Sequence, residues 1–185
     1  MSVPEPPGGV PELPSQPIHI VQYDPAWPAM FEEEARRIVE ACGKWLVAIE
    51  HMGSTAVPGL AAKPIIDVMP GLRRIEDGVH CIEPMQKLGY HYMGEFGVPG
   101  RMYFTRGTPR THNVHMFQFG SPEWERNLRF RDYLRTHAEA AAEYEALKKV
   151  LADRHRDERE AYTHAKTEFI EGIQIQALGD PLESR

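Results

Sequence analysis

The chain has 185 residues, 42% hydrophobic and 26% charged, with a formal net charge of −6. This length suits one domain around one core, and the acidic balance argues against a general nucleic-acid binder, which needs surplus Lys and Arg to displace counterions. No apolar run approaches the ~20 residues that span a bilayer, so no membrane partner is expected.

Residues 1–17, rich in Pro and Gly, read as a flexible tail without the basic start and apolar stretch of a secretory signal. One domain is expected over 18–178, and a short carboxyl-terminal tail over 179–185. Ile18 to Gln22 alternates β-branched and polar residues and predicts a short strand. Asp24-Pro25 supplies a cap and a first-turn proline for a helix ending before Gly43. Its expected apolar stripe is Met30, Phe31, Ala35, Ile38 and Val39, with Glu32 to Glu34 in the first half, where carboxylates favour the helix dipole.

Trp45 to Glu50 and Pro64 to Met69 predict strands separated by a loop with Gly53, Pro58 and Gly59. Ile75 to Leu88 predicts a helix closed by Gly89. Met102 to Thr105 and Thr111 to Phe119, joined by Arg106–Arg110, predict an antiparallel hairpin. Ser121-Pro122-Glu123 starts a helical last third, with helices of about 121–135, 138–154 and 157–177. The expected class is therefore α+β, a mixed sheet flanked by helices with a helical carboxyl-terminal layer. Cys42 and Cys81, far apart and without CxxC spacing, read as small buried hydrophobes in a reducing, cytoplasmic compartment.

The segment Glu50-His51-Met52-Gly53-Ser54, leading into Asp67, carries the chemistry. Gly53 lets the chain turn tightly and approach a ligand without a Cβ. Ser54 adds a hydroxyl, Thr55 extends the same turn, and successive amides there form an anion-binding concavity. Asp67, inside an apolar strand, is costly to bury unless paired or bound to a metal; on the neighbouring strand it is placed to hold Mg²⁺ against the same phosphates. A cap or a buried ion pair satisfies Asp67 equally, and an ordinary turn accounts for Gly-Ser. The spacing does not fit a P-loop, because Gly59 is followed by Leu-Ala rather than by Lys and Ser or Thr.

The segments YDPAWPAMFEEEA, IEHMGSTAVPGLAAKPIIDV, PGRMYF, RTHNVHMF, GSPEW and FRDYLRTH, in this order, resemble the GrpB family of nucleotidyltransferase-fold proteins from about Val21 to Ile173. The resemblance implies the fold of DNA polymerase β and, in some bacteria, fusion to dephospho-CoA kinase. It also implies Gly53 and Ser54 on nucleotide phosphates, and Asp67 as the first metal carboxylate. The wider superfamily carries a second acid two residues later, where this chain has Met69; one carboxylate does not build a two-metal clamp.

Candidates to complete the site are Glu50 and His115, as catalytic groups or, for His115, as a metal ligand or proton carrier. Strand alternation puts His115 and Asn113 on one face and His112 on the other. His51 beside the loop, Lys63 between the loop and Asp67, and Arg101 and Arg110 are further nucleotide or phosphate contacts, the arginines because guanidinium grips phosphate bidentately. Each of these also reads as an ordinary sheet or surface residue. Tyr162 and Lys166, four apart on the last helix, have the spacing to face the cleft but read rather as a solvated helix face, and Trp27, Trp124 and Tyr133 read as packing residues. The expected function is a Mg²⁺- or Mn²⁺-dependent nucleotidyltransferase using a nucleoside triphosphate, ATP, on a small-molecule acceptor, with adenylate-ligation chemistry as a variant. The alternatives are a non-catalytic nucleotide or metabolite binder, and a helper domain for a coenzyme A pathway enzyme.

Overall fold

A computed structural model describes residues 3–6, 9–11 and 16–179. Five strands form one mixed sheet: β1 (Leu46–Met52), β2 (Ile66–Leu72), β3 (His91–Tyr92), β4 (Met102–Arg106) and β5 (His112–Gln118), in the order β1-β2-β5-β4-β3. Only β2 and β5 run parallel, with Asp67 opposite Asn113. The other three pairings are antiparallel, including the expected β4–β5 hairpin.

Alternation along these strands sorts the sheet into two faces. Ile66, Val68, Met102, Phe104, Val114 and Met116 point to the main core, under α1 (Trp27–Cys42) and α2 (Val79–Lys87). Met69 and Phe117 point to the opposite face, where Trp124 and Leu128 of α3 (Pro122–Thr136) cover them. Trp124 lies so close to Gly71 that a Cβ there would stand 3.0 Å from its ring. Three more helices complete the carboxyl-terminal layer: α4 (Ala138–Arg154), α5 (Arg159–Ala165) and α6 (Thr167–Gly179). The Asp67 end of β2 lies beyond α3's cover, on that same face.

Several elements differ from the expectations. α1 starts at Trp27 with Pro28, not Pro25, in its first turn, and Asp24 instead accepts from the Ala26 amide at 2.9 Å. Its buried stripe is Trp27, Glu34, Ala35, Ile38 and Cys42, while Met30 and Val39 are exposed. Burial of Glu34 is tolerated because Arg106 donates to both its oxygens, at 2.8 and 2.7 Å, and the Tyr90 hydroxyl donates at 2.8 Å. The strand expected over 18–22 is reduced to one bridge, Val21 with Ala62. The helix expected over 75–88 opens with a 3₁₀ turn, Ile75–Gly78. The last helix breaks at Lys166, so α5 and α6 are separate pieces. The two-residue β3 was too short to register as a pattern.

The tail expectations fall partly outside the described residues, at 1, 2, 7, 8, 12–15 and 180–185. Within the described part, Val3 is buried in the main core and the Pro4 carbonyl accepts from the Tyr92 hydroxyl at 2.6 Å. Cys42 and Cys81 are buried free thiols. No helix among the described residues is long and apolar enough to cross a membrane.

Candidate functional site

β1 ends at Met52, and the chain reverses at Gly53, whose φ of 72° and ψ of −172° suit glycine. Ser54–Ala56 follows as a 3₁₀ turn. The turn is pressed against β2: a Cβ on Gly53 would stand 2.6 Å from Asp67 Oδ2. Glycine is therefore required here twice, by backbone conformation and by the carboxylate beside it.

Asp67 is held by its strand neighbours. Asn113 Nδ2 donates to Asp67 Oδ1 at 2.8 Å, and His115 Nε2 lies 3.3 Å from the same oxygen. Arg101 Nη1 lies 3.3 Å from His115 Nδ1. A guanidinium has no acceptor, so His115 Nδ1 accepts, and in the neutral ring Nε2–H donates to Asp67. Burial lowers the His115 pKa below its ordinary value, in keeping with that neutral ring. For Asp67, burial works to raise the pKa, but the His115 and Asn113 hydrogen bonds and the charge of Lys63 outweigh it and hold the carboxyl ionised. The Tyr103 hydroxyl donates to Asn113 Oδ1 at 3.0 Å and accepts from Arg110 Nη1 at 3.4 Å, which extends the chain of donors outward.

Facing this carboxylate is a group of cations. Lys63 Nζ lies 4.9 Å, and Lys166 Nζ 4.4 Å, from the centre of the buried Tyr162 ring. Burial, followed by the charges of Lys166 and Arg159, pushes the Lys63 pKa far down. Burial likewise lowers Lys166 to about 8, against the pull of Asp67. Arg159 is depressed by burial and then by the charge of Arg110. One carboxylate thus shares its surroundings with the basic side chains of Lys63, Arg101, Arg159 and Lys166, and with Arg110 through Tyr103, so an anionic ligand that favours the charged lysines suits the site.

The other candidates have different duties. The Glu50 carboxylate is 2.7 Å from Arg131 Nη1, which also donates to the His51 carbonyl at 2.9 Å, so Glu50 ties β1 to α3. The His51 ring stacks on Phe31 at 4.7 Å, and its Nε2 lies 3.0 Å from Thr55 Oγ1. That hydroxyl donates to the Ile65 carbonyl at 3.4 Å. With burial lowering its pKa to about 4, His51 is a neutral staple of the loop, and Thr55 is its partner. Ser54 lies beside the buried Tyr144 hydroxyl. His112, on the opposite face as alternation requires, belongs with Arg106 at 3.1 Å. Both ring nitrogens of His115 are engaged, which makes it a holder of Asp67 rather than a free metal ligand. The residues that sequence reading left out are Tyr103 and Arg159. Tyr162 and Lys166, read as a solvated face, sit with Lys63 near Asp67 instead. Their four-residue spacing was the available signal, while Arg159 carried none.

Comparison with known proteins agrees with this architecture. The family model described as GrpB protein matches residues 17–176. The UPF0157 protein YqkA of Bacillus subtilis is 44% identical over 165 residues, which are 89% of this chain and 48% of YqkA. This chain thus spans about half the length of that relative. A dephospho-CoA kinase of Mycolicibacterium paratuberculosis is 27% identical over 81% of this chain and 43% of its own length. The crystal structure of conserved protein GrpB from Enterococcus faecalis superposes with a TM-score of 0.81 at 42% identity, covering 87% of this chain and 98% of that one. That neighbour is consistent with the nucleotidyltransferase-type placement implied by the Gly-Ser turn and Asp67. The family match, the mixed five-stranded sheet and the Gly53–Asp67 junction lead to one conclusion: this chain belongs to the GrpB family.

Proposed function

We propose that the Gly53–Asp67 site binds the phosphates of a nucleoside triphosphate, ATP, together with one Mg²⁺ or Mn²⁺, and that the protein transfers the nucleotidyl group to a small-molecule acceptor. The observation that carries this reading is the Gly53 turn packed on an ionised Asp67 that lies within electrostatic reach of Lys63, Arg101, Arg159 and Lys166. Asp67 Oδ1 is occupied by Asn113 and His115, while Oδ2 faces the turn. Mg²⁺ commonly uses one or two carboxylates and completes its shell with substrate phosphates and water, so this donor set fits one ion. It does not fit two: Met69 is fully buried among Trp124 and Leu128, and no group of three His, Cys, Asp or Glu able to hold a metal occurs among the described residues. When bound, the ion neutralises charge on the phosphates.

The chain's own residues do the rest. The Gly53, Ser54 and Thr55 amides and the Ser54 hydroxyl receive phosphate oxygens, and Lys63, Arg110, Arg159 and Lys166 balance the remaining charge. Asn113 and His115 keep Asp67 aimed and ionised. In nucleotidyl transfer an acceptor oxygen attacks the α-phosphorus, the bond to the bridging oxygen breaks, and pyrophosphate leaves as the acceptor gives up its proton. An acid as acceptor yields an adenylate ready for ligation to an amine.

A second reading, a non-catalytic nucleotide or metabolite binder, draws on the buried Met69. A third, a helper domain on a coenzyme A pathway enzyme, draws on the name of the mycobacterial relative. The test is incubation with labelled ATP, Mg²⁺ and a metabolite extract. The expected outcome is a labelled adduct and pyrophosphate release, both lost in Asp67→Asn. Turnover that survives this substitution overturns the assignment; ATP binding with no product over long incubation selects the non-catalytic reading.

A further inference from the structure

Between β3 and β4 the chain holds an aromatic ring at the edge of the Asp67 network, at a conformational cost. Phe96 has a φ of 45° and is the only non-glycine residue with positive φ among the described residues. Such a backbone in a bulky residue is strained and persists only where its surroundings impose it. Here Arg101 imposes it, donating from Nη2 to the Phe96 carbonyl at 2.8 Å and from Nε to the Glu95 carbonyl at 3.2 Å. The Gly100 amide closes the loop onto Glu95 Oε1 at 2.7 Å.

This strain is not repaid by burial, for Phe96 remains 44% exposed. Its ring lies on Tyr103, with centroids 5.4 Å apart and planes 29° apart. Tyr103 is hydrogen-bonded through Asn113 to Asp67, and Arg101 reaches Asp67 through His115. The same guanidinium therefore sets both the Phe96 backbone and the Asp67 carboxylate. A half-exposed aromatic, its backbone fixed by Arg101 and its ring on Tyr103, beside the proposed phosphate site matches a ligand that joins a planar ring to phosphates.

We infer that Phe96 is the stacking platform for the base of the nucleotide, a specificity-determining residue of the same site. This rests on the phosphate-site reading above. Phosphates supply charge without identity, and the exposed ring face supplies a surface that rewards a planar base. A purine presents more area to it than a pyrimidine, so ATP binds more tightly than UTP.

The experiment titrates ATP and inorganic tripolyphosphate, each with Mg²⁺, into the wild type, Phe96→Ala and Phe96→Trp. Phe96→Ala weakens ATP by about tenfold, the range of one lost base stack, and leaves tripolyphosphate unchanged, while Phe96→Trp restores ATP. Phe96→Gly, which relieves the backbone, melts no lower than wild type yet loses ATP affinity as the alanine variant does. Unchanged ATP affinity in Phe96→Ala, or melting of Phe96→Gly several degrees lower, overturns the platform and leaves the phosphate site standing. A wild type that binds neither ligand overturns the phosphate-site reading itself.

Discussion

Gly53 and Asp67 meet because a turn with positive φ lays its Cα against a carboxylate from the next strand. Alanine at position 53 meets an unfavourable backbone that only glycine adopts readily, at about 1–3 kcal/mol, and must also displace Asp67 Oδ2 from 2.6 Å. We expect Gly53→Ala to lower the melting temperature by roughly 3–8 °C, given about 2–4 °C per kcal/mol for a chain of this size. It should also weaken tripolyphosphate binding, because the displaced turn amides belong to the phosphate contact. Calorimetric melting and titration check both; a variant that melts and binds like wild type removes the close-packing argument. The adjacent pair Glu50 and His51 shows how little residue type alone decides. Both carry chemistry-capable groups next to the turn, yet one is consumed by Arg131 and the other by Thr55 and Phe31.

At the scale of elements, the turn and its following loop are fastened from the helical layer. Arg131 on α3 is 6% exposed and bonds both Glu50 and the His51 carbonyl, with Asp132 on its Nε at 2.7 Å. On α4, Glu145 accepts from the Ala61 amide at 2.8 Å and the buried Lys148 donates to the Ala61 carbonyl. Helix residues three apart thus grip the amide and the carbonyl of one loop residue, two positions before Lys63. Removing the guanidinium leaves a buried carbonyl and a carboxylate without their donor, so Arg131→Met should cost roughly 2–4 kcal/mol. The midpoint of urea unfolding should fall while its slope is kept; an unchanged midpoint would show that α3 is held by Trp124 and Leu128 alone. α1 illustrates the limit of periodicity: the expected and the buried stripes share only Ala35 and Ile38, because Glu34 reads as a surface residue. Only its partners Arg106 and Tyr90, 72 and 56 positions away, make its burial affordable.

At the scale of the molecule, an acidic chain of net charge −6 concentrates cations around Asp67. They arrive from the loop before β2, from the β3–β4 and β4–β5 connections, and from α5 and its end. Lys166, lowered to about 8 by burial, loses its proton as pH rises through that value. A polyanion favours the charged lysine and so raises its pKa, which means binding takes up protons near pH 8 and weakens above it. Tripolyphosphate affinity should therefore fall by roughly fivefold or more between about pH 6.5 and 9.5. Lys166→Gln should bind weakly with a flatter profile. Titration in buffers of different ionisation enthalpy reads the proton uptake; a flat wild-type profile would remove Lys166 from the contact.

The sequence by itself determined the family and most helices and strands, though not β3, the single bridge at Val21 or the break at Lys166, and it singled out Gly53, Ser54 and Asp67, of which the fold packs Gly53 on Asp67. These depend on local rules: alternation, helical spacing, glycine at a turn, and the cost of a carboxylate in an apolar strand. Tertiary structure alone decided that β2 runs parallel beside β5, which brings Asn113 to Asp67 across 46 positions. It also decided that α5 delivers Arg159 and Tyr162 to the surroundings of Asp67 and Lys63, and that Phe96 is held open on Tyr103. Strand order and helix docking are set by how distant surfaces bury one another, and no short stretch of sequence carries that sum.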